Sequence, residues 1–346
     1  MNLHRRNFLI TASAAAAGTA VASPWMTAPA QAQEATLLFG TTNAPQIPVN
    51  SQIMHPWAKR INEQGKGVVA IDVRDGPTLA NFNNYYDRIV SDTVQISWGI
   101  QSYIAGKFAA SLAPGLPFTS DKAEDASVAY WRLLKSGVLD SEYTDLETLF
   151  VCVFAQANLH TRRPVERVDD LRGMRLATGN PVVADLITRM KGVPVSLALT
   201  EYYEALQRGN VDGAVTPWTA ILPFKLHEVL RHHIDLPLGA NTGALFMARK
   251  RFADLTPAAR KLLLDNSGEA ESRRFGAFWD SEQDRGRNTV KAIAGHTVAT
   301  ASPEQEARLS ELFQPVKQAW AAKTPNGGKA LEAYEKLLAD VRSGRS

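Results

Sequence analysis

The sequence predicts an α/β protein with largely parallel strands, covering helices and two lobes. Short apolar segments rich in β-branched residues alternate with segments of helical spacing, and the alternation resumes after residue 121. This alternation is typical of helices that cover the faces of a mostly parallel sheet. A chain of 346 residues is also large for a single core, which favours two lobes.

Turn residues separate the elements of the first part of the chain. Ile53, Trp57 and Ile61 recur at helical spacing, and Gly65 ends that helix, whereas the segment over 68–73 is rich in β-branched residues and reads as a strand. The predicted elements are a strand over 35–40, a helix over 53–64, a strand over 68–73, a helix over 82–90 and a strand over 94–98.

The second part of the chain continues the alternation. Thr200 is a suitable N-cap residue, Gly209 ends the helix that follows it, and Pro303 and Pro325 mark breaks in a mostly helical C-terminal part. The predicted elements are a helix over 121–139, strands over 148–154 and 174–178, a helix over 181–190, a strand over 193–197, a helix over 200–208, strands over 214–216 and 244–248, and one long helix over 257–298.

Open parallel sheets bind ligands beyond the carboxyl ends of their strands, where loops lead into helices. Five loops of this sequence follow predicted strands in that way. They cover residues 41–45, 75–83, 97–103, 177–181 and 216–218. We therefore expect a binding site to form where these loops meet.

Residues 1–33 are predicted to be a Tat-type signal peptide. Arg5 and Arg6 precede an apolar run that extends to about Val21, and Ala30 and Ala32 occupy the two positions that a signal peptidase reads. The apolar run is too short to span a bilayer. No other stretch approaches 18 apolar residues, so we expect a periplasmic protein whose mature chain does not insert into the membrane.

The charge pattern and the motifs exclude several functions. The 38 basic and 35 acidic residues nearly balance without any basic run, which argues against nucleic acid as a partner. No glycine-rich phosphate loop, H-E-x-x-H or G-x-S-x-G motif is present. We therefore expect no catalytic residue, metal or cofactor. His227, His232 and His233 read as a solvated helix end, and Cys152 as a buried apolar residue.

Two segments carry a family pattern. The sequence over 169–176 is DDLRGMRL and that over 200–213 is TEYYEALQRGNVDG. Together they resemble the solute-binding proteins of TRAP transporters, the dicarboxylate-binding type. Leu116-Pro117-Phe118 resembles the L-P-F segment of that family, and the strand over 244–248 resembles its strand that returns to the first lobe.

The resemblance implies a two-lobed periplasmic-binding-protein-like fold with mixed sheets, hinge strands and a long helix that crosses both lobes. Lobe 1 would hold residues 34–154 and about 243–282, and lobe 2 would hold residues 155–242 and about 283–346. The implied function is an extracytoplasmic receptor that closes on a small organic solute. Its other partners would be the TRAP membrane subunits.

Departures from the family pattern fall at positions that usually hold polar anchors. The arginine that pairs with a substrate carboxylate corresponds to Ala177, a second arginine to Ala157, and an asparagine to Thr216. One interpretation is that Arg175, on the same strand face as Ala177, binds the carboxylate. The other is that a mostly apolar pocket binds an aromatic or neutral polar metabolite, or an organic acid that is held by neutral donors.

The predicted ligand-binding residues combine aromatic side chains with polar anchors and include two of the three departures, Ala177 and Thr216. They are Thr42, Asn81, Trp98, Gln101, Phe118, Arg175, Ala177, Asn180, Thr216 and Trp218. Tyr103, Leu199 and Phe246 also fall near cleft positions of the family. Two alternative functions stay open: a Tat-exported periplasmic cofactor enzyme, and a solute receptor for a sensor or an ABC importer.

Overall fold

The structure is a computed structural model that describes residues 35–345 except Ala105. The predicted signal peptide lies outside these residues. Within the described part of the chain, no helix combines the length and the apolar character needed to cross a membrane.

The first of two sheets has a mixed arrangement of five strands. Their spatial order is β2 (Val69–Arg74), β1 (Ala35–Gly40), β3 (Ile96–Ile100), β10 (Thr242–Ala248) and β4 (Leu146–Val153). β1 pairs in parallel with β2 and β3, while β10 is antiparallel to both β3 and β4. Every residue of β3 is buried, as expected for a strand with both faces covered.

The second sheet has six described strands and is also mixed. Their spatial order is β11 (Thr297–Thr300), β9 (His232–Asp235), β5 (Asn158–Thr161), β8 (Gly213–Thr216), β6 (Arg175–Thr178) and β7 (Val193–Ser196). β5 is antiparallel to its neighbours β8 and β9, and the other pairs are parallel. The two mixed sheets confirm the predicted α/β class, while β5, β9 and β11 were not predicted.

Helices surround both sheets. Their bounds are α1 (His55–Gln64), α2 (Tyr85–Val90), α3 (Ala123–Lys135), α4 (Pro181–Arg189), α5 (Tyr202–Gln207), α6 (Trp218–Ile221), α7 (Arg249–Asp254), α8 (Pro257–Asp265), α9 (Glu269–Lys291), α10 (Pro303–Lys323) and α11 (Gly327–Arg342). α1 packs on β2 and α3 on β4, whereas α4 packs on β7. α10 lies against α4 and α11 against α3, so the C-terminal helices contact elements of both sheets.

The long helix α9 packs on elements associated with both sheets. An added Cβ at Gly276 would lie 2.4 Å from the carbonyl oxygen of Ala123 in α3, and one at Gly286 would lie 2.6 Å from the carbonyl oxygen of Trp218 in α6. The two glycines therefore allow the backbone of α9 to approach both helices closely. The Ser272 hydroxyl accepts a hydrogen bond from the backbone of β4, 3.0 Å away.

Two sequence-based expectations are wrong in this region. The helix predicted over 257–298 is divided into α8 and α9, because Gly268 adopts φ of +89° and its N–H donates to the Leu149 carbonyl in β4. His232 and His233 do not form a solvated helix end. They begin strand β9, and His233 is only 1% exposed. Cys152 is buried in β4, as predicted.

Candidate functional site

A cavity of about 160 Å³ lies where strand ends and loops of the two sheets meet. Each of the five loops predicted to meet there supplies at least one lining residue. Those residues are Asn43, Phe82, Trp98, Ile100, Tyr103, Thr178, Gly179, Asn180, Thr216 and Pro217. The cavity thus lies beyond the carboxyl ends of parallel strands, as open α/β sheets favour.

One side of the cavity is a continuous aromatic wall, defined by Tyr103, Phe82, Trp98, Phe154, Trp279 and Phe278. The centroids of Phe82 and Trp98 are 5.3 Å apart at an interplanar angle of 87°. Phe154 stacks on Trp279 at 4.4 Å and 27°. Because aromatic pairs favour offset-stacked and edge-to-face geometry, the wall holds its rings in fixed orientations and offers an apolar surface to a ligand.

The opposite side carries neutral polar groups from the second sheet. Asn180 is the N-cap of α4, and its Oδ1 accepts from the backbone N–H groups of Val182 and Val183 at 2.9 and 3.3 Å. The Thr216 hydroxyl on this side and the Tyr103 hydroxyl of the aromatic wall donate to no residue that the structure describes. These two hydroxyls are therefore available to a ligand, whereas the amide oxygen of Asn180 is engaged by the helix.

The cavity lining has little charge and no described basic side chain. Among the described lining residues there is no lysine, arginine or histidine, and Glu282 of α9 carries the one formal charge. The Glu282 side chain is 9% exposed, and Arg285 donates to both of its carboxylate oxygens. Any polar group of a ligand would therefore meet hydroxyls, amides and one carboxylate whose charge is balanced by Arg285.

Three of the ten predicted site residues line the cavity: Trp98, Asn180 and Thr216. The Trp98 indole N–H donates to the carbonyl of Thr41, which fixes the ring at the end of β1. Because the three residues come from β3, the loop after β6 and the end of β8, the structure brings together side chains that are far apart in sequence.

Arg175 does not lie at the cavity. Its guanidinium donates to Asp212 at 2.9 and 3.1 Å and to the Gly209 carbonyl at 2.7 Å, at the exposed start of β6. Hydrogen bonding and the charge of Asp212 raise the pKa of Arg175, and the guanidinium lowers the pKa of the Asp212 carboxyl. This ion pair joins the two sequence motifs, so it fixes β6 against the turn before β8.

The other six predicted residues have contacts away from the cavity. Thr42 donates to the Thr41 carbonyl, and Asn81 accepts from the Asn83 backbone. Gln101 forms hydrogen bonds with the hydroxyls of Tyr130 and Tyr143, and the Trp218 indole donates to Asp235. Phe118 packs on Phe313, and Ala177 is fully buried. Their geometry favours roles in turns and in the core.

Several lining residues were not among the predicted site residues. Phe154 immediately follows β4, so the end of that strand was an available signal. Trp279 and Glu282 lie in the middle of α9, one helical turn apart, and nothing in the local sequence distinguishes them from core and surface positions. Asn241 lines the cavity through the segment that leads into β10.

A row of three histidines lies behind the cavity: His160 on β5, His233 on β9 and His296 immediately before β11. His160 Nε2 is 3.0 Å from the Thr216 carbonyl, His160 Nδ1 is 2.8 Å from His233 Nδ1, and His233 Nε2 is 3.0 Å from His296 Nδ1. The guanidinium of Arg231 lies 2.7 Å from His296 Nε2. Arginine can only donate, so one set of neutral tautomers satisfies every contact. In that set Arg231 donates to His296, His296 to His233, His233 to His160, and His160 to the Thr216 carbonyl.

Burial keeps this histidine row neutral. Desolvation lowers the pKa of His160 to about 3 and that of His233 to about 2, and it also lowers the pKa of His296. A proton added to any ring would remove the acceptor that its neighbour needs. No group of described residues has the arrangement of His, Cys, Asp and Glu side chains that could hold a metal ion.

Comparison with known proteins connects this architecture to a family. The model of DctP, the bacterial extracellular solute-binding proteins of family 7, matches residues 39–324. A relative described as the outer membrane transporter protein TsaT of Comamonas testosteroni is 27% identical over 322 residues, which cover 90% of this chain and 94% of that protein.

Solved structures share the fold. A TRAP solute-binding protein from Rhodoferax ferrireducens, in complex with copurified benzoate, is 25% identical and superposes with a TM-score of 0.82 over 89% of this chain and 99% of that chain. A TRAP periplasmic solute-binding protein from Bordetella bronchiseptica with bound mandelate is 22% identical, with a TM-score of 0.79 over 88% of this chain and 99% of that chain.

Proposed function

This chain belongs to the bacterial extracellular solute-binding proteins of family 7, and from that premise we propose that it captures a ring-bearing organic solute in the cavity between its two sheets and delivers it to TRAP membrane subunits. One observation carries the proposal: the described cavity joins an aromatic wall to neutral hydrogen-bonding groups from the other sheet. A concave, mostly apolar site with a few polar anchors is the usual form of a small-molecule site.

The size of the cavity supports a ligand with one ring. Its volume of about 160 Å³ is close to that of an apolar protein cavity of about 150 Å³ that accepts benzene. The benzoate and mandelate bound by the proteins from Rhodoferax ferrireducens and Bordetella bronchiseptica each carry one aromatic ring, which supports the same ligand class for this chain.

The proposal extends to export and to motion. Residues 1–33 would direct Tat export to the periplasm, lobe 1 would hold residues 34–154 and about 243–282, and lobe 2 would hold residues 155–242 and about 283–346. A solute that touches both lobes favours the closed state, so binding is a shift of population toward it. The closed form would then be the one that docks on the membrane subunits, and no bond of the solute is broken.

Calorimetric titration with benzoate, benzamide, mandelate and related one-ring solutes tests capture. Trp279→Leu removes a ring from the aromatic wall and should weaken binding at least about tenfold. Trp131→Leu is the matched control, because Trp131 is a half-buried tryptophan of α3 that does not line the cavity. If no one-ring solute binds, or if both variants weaken binding equally, capture in this cavity is wrong.

Delivery requires a separate experiment. Vesicles that contain a TRAP large and small membrane subunit should take up a labelled solute faster when this protein is added outside. Uptake that is unchanged, while the purified protein still binds the solute, would favour the alternative partners, a sensor or an ABC importer. A bound chromophore or metal in the purified protein would instead favour the cofactor enzyme.

A further inference from the structure

We infer that the cavity selects solutes whose polar group carries no negative charge, such as an amide, an alcohol or an un-ionised phenol. The inference rests on the proposed receptor function and adds the chemical class of the solute. It follows from the charges, the helix cap and the free hydroxyl groups of the cavity.

The cavity lacks the positive charge that would pair with a ligand carboxylate. The described lining has no basic side chain. Two arginines of α9 are committed to carboxylates: Arg285 pairs with Glu282, and Arg287 pairs with the Asp235 carboxylate at 2.6 Å. Arg175, which lies away from the cavity, pairs with Asp212. An ionised ligand carboxylate would therefore lose its hydration without gaining a cation, which is costly in an apolar site.

The helix N-terminus at the cavity is the second place where an anion could bind, and it is already capped. Pro181 has no N–H group, and the next two N–H groups of α4, at Val182 and Val183, donate to the side chain of Asn180. A ligand anion would have to displace this cap to reach them. The positive end of the α4 dipole is thus used within the protein and not offered to a ligand.

Glu282 adds a specific penalty for anions. Its carboxylate is buried in the cavity lining, and its charge is balanced by Arg285. A second carboxylate in the same cavity would compete for that single guanidinium. In contrast, a neutral amide or hydroxyl group can bond with the hydroxyls of Tyr103 and Thr216 and with the free amide N–H₂ of Asn241, whose Oδ1 accepts from Ser102.

Matched pairs of solutes test this inference with the full-length exported protein. For each one-ring acid, the carboxylate and its carboxamide are compared by calorimetry at pH 7: benzoate with benzamide, phenylacetate with phenylacetamide, and mandelate with mandelamide. We expect the carboxamide to bind at least about tenfold more tightly. Equal or tighter binding of the carboxylates would overturn the inference while leaving the receptor function intact. Failure of every member of all pairs to bind would reject the receptor function as well.

A titratable ligand gives a second readout that needs no variant. A nitrophenol that ionises near neutral pH should bind in its un-ionised form, so its affinity should fall about tenfold for each pH unit above its own pKa. An affinity that stays constant or rises over this range would contradict selection for the neutral form.

A charge-neutral variant tests the electrostatic explanation. Glu282→Gln removes the buried charge and releases Arg285, so the ratio of benzoate to benzamide affinity should shift at least about tenfold toward benzoate. Glu332→Gln is the matched control, because Glu332 is an exposed residue of α11 outside the cavity lining. A ratio that is the same in both variants would overturn the role assigned to Glu282.

Discussion

Replacing His160 with phenylalanine should make the stability of the protein less sensitive to mild acid. His160 is fully buried, its ring lies 4.7 Å from that of Trp218, and burial lowers its pKa to about 3. In the unfolded chain its pKa is close to 6.5. Between these two values the unfolded state binds a proton that the folded state does not, so the free energy of unfolding decreases as the pH falls through this window.

The size of the effect follows from the pKa difference. The contribution of His160 is fully present above about pH 6.5 and decreases by about 1.4 kcal/mol for each pH unit below it. From pH 7 to pH 5 the wild-type protein should therefore lose about 2 kcal/mol through this residue alone. Phenylalanine does not titrate, so the variant should lose about 2 kcal/mol less over the same interval.

Urea unfolding of both proteins at pH 7 and at pH 5 measures this difference. The variant also loses the hydrogen bonds to the Thr216 carbonyl and to His233, worth about 1 kcal/mol each, but these losses are common to both pH values and cancel in the comparison. If the two proteins lose the same stability on acidification, His160 is not held neutral in the folded state and the assignment of the histidine row is wrong.

Three further predictions concern packing, the exposed arginine and the thiol. Gly286→Ala should destabilise the protein by about 1–3 kcal/mol in urea unfolding, because its Cβ would lie 2.6 Å from the Trp218 carbonyl oxygen. Gly328→Ala is the control and should not destabilise the protein, because the space around Gly328 is open. Arg175→Ala should leave solute affinity unchanged within about twofold, since only its surface ion pair is lost; a tenfold loss in calorimetry would place it at the ligand. Cys152, whose thiol pKa is raised by burial, should react with a thiol reagent only after unfolding, and rapid labelling of the folded protein would contradict its burial.

The fold was predictable where local sequence and tertiary structure agree. The strands that became β1, β2 and β3 are rich in apolar and β-branched residues, and turn residues separate them from the helices. β9 and β11 were missed because they are short and contain polar residues, with two histidines at the start of β9. Their strand conformation depends on pairing between distant parts of the chain, which a local pattern does not contain.

The site was predictable at the level of loops but less so at the level of side chains. The rule that ligands bind beyond the carboxyl ends of strands located all five loops at the cavity. Trp218 also lies next to a strand end, yet its side chain turns toward His160 and Asp235. Trp279 reaches the cavity only because α9 passes close to both sheets, and that is a property of the assembled fold.

The close contacts of α9 restrict how the molecule can move. Gly276 and Gly286 are ten residues apart, so their contacts with α3 and α6 are separated by about 15 Å along one rigid rod. In the opening that we propose, widening the cavity would either curve this helix or slide it past one of the two backbone contacts, and both motions would disturb tight packing. These contacts would therefore limit the amplitude of the proposed opening.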